Sequence, residues 1–271
     1  MNLYQRRYIP TSDPWEPYYF GTFFTMDSTP CFLYKDKGKV CLLPLTCKEP
    51  MIIDVDITSE FPCSWVFLYH DDQPFLFVKS DIVIDLKKGK QLPFISDALQ
   101  TKYIACARPE MYFEEHKFSF NDYCISHKGN SGYQCSKAGE VKWEFAGKAY
   151  LYTDIIRWNN RIFFGTAGNG GYFYILDLDT GTPVASIKTG GTASIAQMGH
   201  LCFVARRGVK RNCSQLLCVD LRDGRVIEEF DLQGGVTKDS KLQMIGQQLH
   251  IVTFEYKGDK LQTAIWNTVS I

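Results

Sequence analysis

Gly165-Thr166-Ala167-Gly168-Asn169-Gly170-Gly171 is the stretch most suggestive of chemistry, because a glycine run lets backbone N–H groups close on a phosphate. Such a cradle needs a strand, a Gly-rich turn and then a helix N-terminus, usually with Lys and Ser or Thr. The next residues here, Tyr172 to Asp177, are instead an aromatic and β-branched run that predicts another strand. The glycines are therefore expected to supply positive φ in an inner hairpin. Arg206-Arg207-Gly208-Val209-Lys210-Arg211 is the densest basic run and could meet phosphate, RNA or an acidic protein face. As a loop between two strands it is equally well explained as solvated surface.

The five histidines form no H-x-H or H-E-x-x-H pair. His70 beside Asp71 and Asp72, and His116 beside Glu114 and Glu115, are the best local groups for acid–base work, if they lined a channel. No G-x-S-x-G nucleophile and no P-loop occurs, so no catalytic residue is assigned. The ten cysteines include no C-x-x-C and no zinc-like pairing with His, so neither a metal site nor a cofactor is expected. Cys41, Cys202 and Cys218 stand where Val or Ile would serve a strand, which suits a free thiol used as a small apolar residue.

Thirty basic residues balance thirty acidic ones, which removes any broad electrostatic pull toward nucleic acid or a membrane. No apolar run approaches the ~18 residues of a membrane span. Met1 to Arg7 carries a charge pair with no apolar segment behind it, so no signal peptide is expected and the cytoplasm is the expected compartment.

The elements that would hold these residues are short strands. Val83-Ile84-Asp85-Leu86-Lys87-Lys88-Gly89, Ile175-Leu176-Asp177-Leu178-Asp179-Thr180-Gly181 and Cys218-Val219-Asp220-Leu221-Arg222-Asp223-Gly224 repeat one figure: two apolar residues, Asp, Leu, a polar pair and Gly. Each precedes a further strand, and the Asp is expected to accept hydrogen bonds from the turn it opens. Hairpin glycines at 38, 89, 139, 181 and 224 recur at ~42 to ~51 residues, the period of propeller blades. Lys102 to Ala107 and Met111 to Phe120 read as strands, and no long amphipathic helix is predicted. The expected fold is all-β: one β-propeller domain over 1–271, built from four-stranded antiparallel blades, with six blades favoured over five or seven. Its ring would be closed by pairing N- and C-terminal strands in one blade, because the last unit runs out before its outer strand.

The run Tyr172-Phe173-Tyr174-Ile175-Leu176-Asp177-Leu178-Asp179-Thr180-Gly181 resembles the repeat of the quinoprotein-like (PQQ-type) propellers. In that repeat a strand ends in Asp, a Thr-Gly turn comes next, and Trp often stands four places after the Gly. Trp143 holds that place after Gly139; the other units have Pro93, Ala185 and Glu228. The resemblance, clearest over residues 150–235, implies a fold. The quinone-dependent dehydrogenases of that group use an adjacent cysteine pair and are exported, and neither feature is found here, so their activity does not carry over.

With the repeats assigned to architecture, function is expected in the parts that do not repeat: the connections at 47–63, 96–110 and 206–215. A protein-binding propeller is the leading expectation, a dedicated partner binder or inhibitor such as a toxin-neutralising immunity protein. Its candidate anchors are Trp65, Tyr103, Arg108, Arg206, Arg207, Lys210 and Arg211. The alternatives are an enzyme acting on a small molecule or sugar in the central channel, and nucleic-acid binding through 206–211.

Overall fold

The structure, a computed structural model, describes residues 2–15, 17, 21–55, 57, 65–106, 116–129, 131–167, 170–207, 213–236, 240 and 242–271. After β1 (Asn2–Tyr8), sheet 1 runs β2 (Thr22–Met26), β3 (Thr29–Asp36), β4 (Lys39–Pro44) and β5 (Met51–Ile53). Sheet 2 runs β6 (Val66–His70), β7 (Gln73–Phe77), β8 (Val83–Asp85) and β9 (Lys90–Gln91), and helix α1 (Asp97–Cys106) comes after it. Sheet 3 is β10 (His116–Phe120), β11 (Tyr123–Lys128), β12 (Gly132–Lys137) and β13 (Glu140–Ala146). In sheet 4 the innermost strand is split into β14 (Tyr150–Leu151) and β15 (Ile156–Trp158), ahead of β16 (Arg161–Ala167), β17 (Tyr172–Asp177) and β18 (Pro183–Lys188). Sheet 5 is β19 (Thr192–Met198), β20 (Leu201–Arg207), β21 (Cys213–Asp220) and β22 (Val226–Gln233). Sheet 6 is β23 (Leu242–Ile245), β24 (Gln248–Lys257), β25 (Lys260–Ser270) and, as its fourth strand, β1.

Six four-stranded antiparallel sheets, with the first strand of the chain completing the last sheet, are the blades of a propeller-type fold. The chain divides into two compact units. One comprises Met1–Arg7 and Phe113–Ile271, with sheets 3 to 6; the other is Tyr8–Tyr112, with sheets 1 and 2 and α1.

In the first unit the inner strands of sheets 4 and 5 are apolar on both faces because each of these two sheets is covered on both. Along β17, Tyr174 and Leu176 join a core with Ile125, Tyr133 and Cys135 of sheet 3. Their alternates Phe173 and Ile175 join one with Cys202, Val204 and Leu217 of sheet 5. Along β20, Phe203 and Ala205 turn the other way, onto Leu249 and Ile251 of sheet 6. Side chains two apart share a face, so an uninterrupted apolar run is what a strand between two packed faces requires. Each large side chain so buried stabilises the unit by ~1.5 to ~3 kcal/mol. In the second unit, Phe24, Leu33, Leu42 and Ile53 of sheet 1 pack on Leu76, Val78, Ile84 and Leu86 of sheet 2.

The repeated Asp organises the turn between the third and fourth strands. The amides of Gly89, Gly181 and Gly224 donate to the carbonyls of Asp85, Asp177 and Asp220 at 2.8–2.9 Å. The Asp177 carboxylate also accepts from the Asp179 and Thr180 amides, the Thr180 hydroxyl and Arg161. That of Asp85 accepts from the Lys88 amide, and that of Asp220 from the amide and guanidinium of Arg222. Gly38 belongs elsewhere: it turns the chain between the second and third strands of sheet 1, so it is not the counterpart of the other four glycines.

Two further expectations are corrected. Residues 102–106 are helical. Ser96 caps α1, its hydroxyl accepting the Leu99 amide at 3.3 Å, and Asp97 in the first turn complements the positive end of the helix. Leu99 and Tyr103, one turn apart, pack onto sheet 2, and this tertiary contact outweighs the β character of Tyr103-Ile104. Arg206 and Arg207 lie on β20 rather than in a loop, since β20 pairs with β21 out to Arg207 opposite Ser214. The predicted inner hairpin after β16 is present: Ala167 ends one strand, Tyr172 starts the next, and Gly170 has φ 123°.

Candidate functional site

At the turn end of the sheets, side chains link neighbours by a recurring rule. Trp143 on β13, four residues beyond Gly139, lies on Gly181 of sheet 4 and donates its indole N–H to the Leu178 carbonyl at 2.8 Å. Ala185, four residues beyond Gly181, lies on Gly224 of sheet 5. In the second unit Met51 on β5 lies over Gly89 of sheet 2. A Cβ on Gly181 would stand 2.5 Å from the Trp143 ring, and one on Gly224 2.2 Å from the Ala185 Cβ. The residue two after the repeated Asp reaches back in the same direction: Lys87 pairs with Asp27 at 2.8 Å, and Asp179 accepts from the Tyr123 hydroxyl. The Tyr123 ring also carries the Lys137 ammonium at 4.5 Å and the Arg157 guanidinium at 5.8 Å. The acidic, repeated stretch is thus inter-sheet stitching.

Its electrostatics reflect that role. The Arg222 guanidinium, by hydrogen bonding, holds the Asp220 carboxyl down to about 2. At Asp177 burial pushes upward but is outweighed by the hydrogen bonds from Thr180 and the charge of Arg161, so its carboxyl also lies below the ordinary value. Both are fixed as anions that accept bonds, the opposite of a proton donor. In sheet 6, His250 is fully buried and its Nδ1 accepts the Trp266 indole N–H at 3.1 Å; burial brings its pKa down to about 4. Since indole only donates, Nδ1 is unprotonated.

The sequence-derived candidates fall in separate places. In the first unit Arg206 is bound to Gln215 at 2.7 and 3.0 Å and paired with Glu229 at 2.9 Å, while Gln215 donates to Asp231 at 3.0 Å. Its positive charge is therefore met by acids across the same sheet. Arg207 is exposed at the end of β20, and Lys210 and Arg211 lie outside the described residues. In the second unit Trp65 packs against the core between sheets 1 and 2. Tyr103 of α1 stacks on Phe77 at 4.5 Å with an interplanar angle of 13°. Arg108 lies outside the described residues. His70 Nε2 stands 3.6 Å from Asp71, in a turn where Asp71 and Asp72 both have positive φ. Among the described residues no three His, Cys, Asp or Glu side chains gather as metal ligands would.

What sequence reasoning did not select lies beside Tyr103. Phe94 is 77% exposed and Ile104 67%, the two most exposed large apolar side chains among the described residues. Both belong to the segment after β9, where sheet 2 departs from the repeat. β9 has two residues, against seven in β13 and eight in β22. Pro93 stands where Trp143 stands in sheet 3, and the chain leaves the sheet to form α1. A signal was available: an aromatic residue directly after that Pro, and then Ser-Asp as a helix start.

No protein-family model matches this chain. No curated protein matches it. Among solved structures, it is similar to BamB from Moraxella catarrhalis, at 13% identity and a TM-score of 0.45, over 90% of this chain and 81% of that one. The computationally designed Ika4 protein is similar at 11% identity and a TM-score of 0.38, over 54% of this chain and 86% of that one. The computationally designed Ika8 protein is similar at 10% and 0.33, over 92% and 83%. These likenesses concern fold alone. The PQQ-type resemblance is likewise one of fold, and the Trp143–Gly181 contact is where this chain carries it. Among the described residues, no helix is long and apolar enough to cross a membrane.

Proposed function

We propose that this chain is a non-catalytic binding protein whose partner is another protein, and that the segment from Leu92 to Cys106 forms the contact. The observation that carries this reading is the exposure of Phe94, on the connection after β9, and of Ile104, on α1. Apolar side chains held in water on a non-repeating segment are where a partner gains most by covering them. Tyr103, stacked on Phe77, acts as a positioning residue for that face, and Trp65, packed against the core between sheets 1 and 2, is proposed as a separate contact. Arg108 is proposed as a further contact of the second unit, and Arg206, Arg207, Lys210 and Arg211 as a separate contact of the first.

The form of binder proposed is a dedicated inhibitor, such as a toxin-neutralising immunity protein, working in the cytoplasm as one domain over 1–271. Use of Cys31, Cys135, Cys202 and Cys218 as buried apolar side chains, with thiols pushed upward by burial, suits a reducing compartment. The one-domain reading is supported by the chain path, since unit Tyr8–Tyr112 is inserted between two parts of the other.

A photo-crosslinking amino acid at position 94, with a second variant carrying it at Ile227 on β22, tests the contact in cells. A discrete protein adduct from position 94 and none from position 227 is expected. No adduct from 94, or the same adducts from both, would refute the reading.

A further inference from the structure

We propose that the first unit binds single-stranded nucleic acid on a second surface, at the end of sheets 4 and 5 opposite their Asp turns. Tyrosines and lysines meet there along the seam of sheets 3 and 4. The Lys148 ammonium stands 5.4 Å from the centre of the Tyr172 ring, and the Lys148 amide donates to the Tyr174 hydroxyl at 2.9 Å. Tyr172 stacks on Tyr174 at 5.5 Å with an interplanar angle of 19°. On β18 Lys188 is the direct partner of Tyr172, so their side chains are neighbours on one face of the sheet. Tyr150 on β14 pairs with Ala167, is half exposed, and meets Tyr152 edge-on at 5.9 Å. Bare backbone completes the corner. The Gly190 amide donates to the Gly171 carbonyl at 3.1 Å, and a Cβ on Gly170 or Gly190 would meet nothing within 4 Å. At its edge the stem of Arg207 lies 3.9 Å from the Cβ position of Gly191.

The inference comes from charge and ring chemistry together. The stretches 144–154, 165–174, 184–193 and 202–207 hold Lys148, Lys188, Arg206 and Arg207 against two acids, Glu144 and Asp154. Glu144 accepts from Gln134 at 2.7 Å and alternates with Phe145, which packs on Tyr174, so it lies on the face of β13 away from the seam. Arg206 is paired with Glu229, whereas Lys148, Lys188 and Arg207 are exposed and have no carboxylate partner among the described residues. At the turn end of the same unit Lys137, Arg161 and Arg222 meet Asp122, Asp177 and Asp220 at 2.5–3.6 Å. One end thus matches cations to acids, and the other leaves three cations beside accessible rings. Phosphates answer the cations and bases answer Tyr150 and Tyr172. A ring with a cation beside it from each of two elements matches a base and its flanking phosphates. A duplex hides its base faces in the stack, and an acidic peptide brings charge without a flat ring for the tyrosines.

The test measures binding of the full chain to a labelled oligouridylate of about ten nucleotides across a salt series. An RNA duplex of the same length and an oligoglutamate peptide form the other arms. The single strand should bind at least about tenfold tighter than either, with a log–log salt slope of about −2, as three phosphate contacts imply. Lys148→Gln with Lys188→Gln should weaken binding at least about tenfold and flatten that slope by about 1.4. Tyr150→Ser with Tyr172→Leu should weaken it by about tenfold or more and leave the slope unchanged. Lys37→Gln with Lys90→Gln, which removes two exposed lysines of the second unit, should alter neither affinity nor slope. Duplex or oligoglutamate binding as tight as that of the single strand would mean that the surface reads charge alone, and would refute the proposal. No binding at low salt, or an equal loss in the Lys37 and Lys90 pair, would refute it too. Circular dichroism and unfolding midpoints check each variant; should the tyrosine pair fail to fold, the exposed lysine pair still decides. None of these outcomes bears on the α1 face, which lies in the other unit.

Discussion

Trp143 and Phe94 stand at nearly the same place in two blades, four and five residues beyond the turn glycines Gly139 and Gly89. Trp143 is 8% exposed and Phe94 77%. In sheet 3 the outer strand runs on, and its aromatic residue closes over the turn of the next sheet. In sheet 2 the outer strand stops at Gln91, Pro93 ends the ladder, and the aromatic residue is left in water ahead of α1. An aromatic residue at nearly the same place thus builds the fold in one unit and is released from it in the other. On the proposed reading, the residue released from the short outer strand of sheet 2 is the one that meets a partner.

The largest effect should come from breaking the stitch that sheet 3 keeps. Trp143→Ala removes a buried indole and leaves the Leu178 carbonyl without its donor. A loss of ~3 to ~5 kcal/mol in denaturant unfolding is expected. Phe94→Ser should cost less than ~0.5 kcal/mol, as at other exposed positions away from special features. Equal costs would erase the distinction between the two sites.

The turn glycines sharpen it. Gly181 and Gly89 both have positive φ, 69° and 64°. A Cβ at Gly181 meets the Trp143 ring at 2.5 Å, whereas at Gly89 the nearest atom is the Met51 sulfur at 3.6 Å. Gly89→Ala should therefore show only the left-handed backbone penalty, ~1 to ~2 kcal/mol. Gly181→Ala should add the cost of moving a packed indole, ~1 to ~3 kcal/mol more, as overpacking does. Chemical denaturation of the two variants checks the order.

Acid should act on the first unit through two groups. His250 is depressed to about 4 when folded, so the unfolded chain takes up its proton first as pH falls. Its contribution is complete above the unfolded value near ~6.5 and is lost as pH falls toward 4, ~3 kcal/mol in all. Asp220, held to about 2, adds stability present above the unfolded value near ~4 and lost as pH falls through 2. Unfolding free energy against pH for wild type, His250→Gln and Asp220→Asn should show each variant missing its own segment of that slope.

Strands and their turns were legible in the sequence because each figure is local. Asp177 carries its partners within five residues, except for Asn160 and Arg161, and the Gly comes at a fixed distance. The joining of β1 to β25 was legible from a count of strands, since the last unit lacked an outer one. Helix α1 was signalled only by Ser96-Asp97 at its start, against the β character of Tyr103-Ile104, and the contact that decides its conformation is supplied by Phe77 on another element. Arg206 looked like part of a free basic loop because its neutralising partners, Gln215 and Glu229, come from strands 9 and 23 residues later in the chain. Phe94 was marked only by the Pro93 before it, which sets it outside the ladder. Its exposure results from the shortness of β9, which is a property of the ladder.

The most direct test is the affinity of the protein captured at position 94 for three purified forms: wild type, Phe94→Ser with Ile104→Ser, and Val141→Ser with Ile227→Ser. The last pair alters exposed apolar residues on the repeating outer strands β13 and β22. Binding should fall by about a hundredfold or more for the α1-face pair, as loss of two central anchors implies, and stay within about twofold of wild type for the outer-strand pair. Equal losses in both pairs, or none in the α1-face pair, would contradict the account.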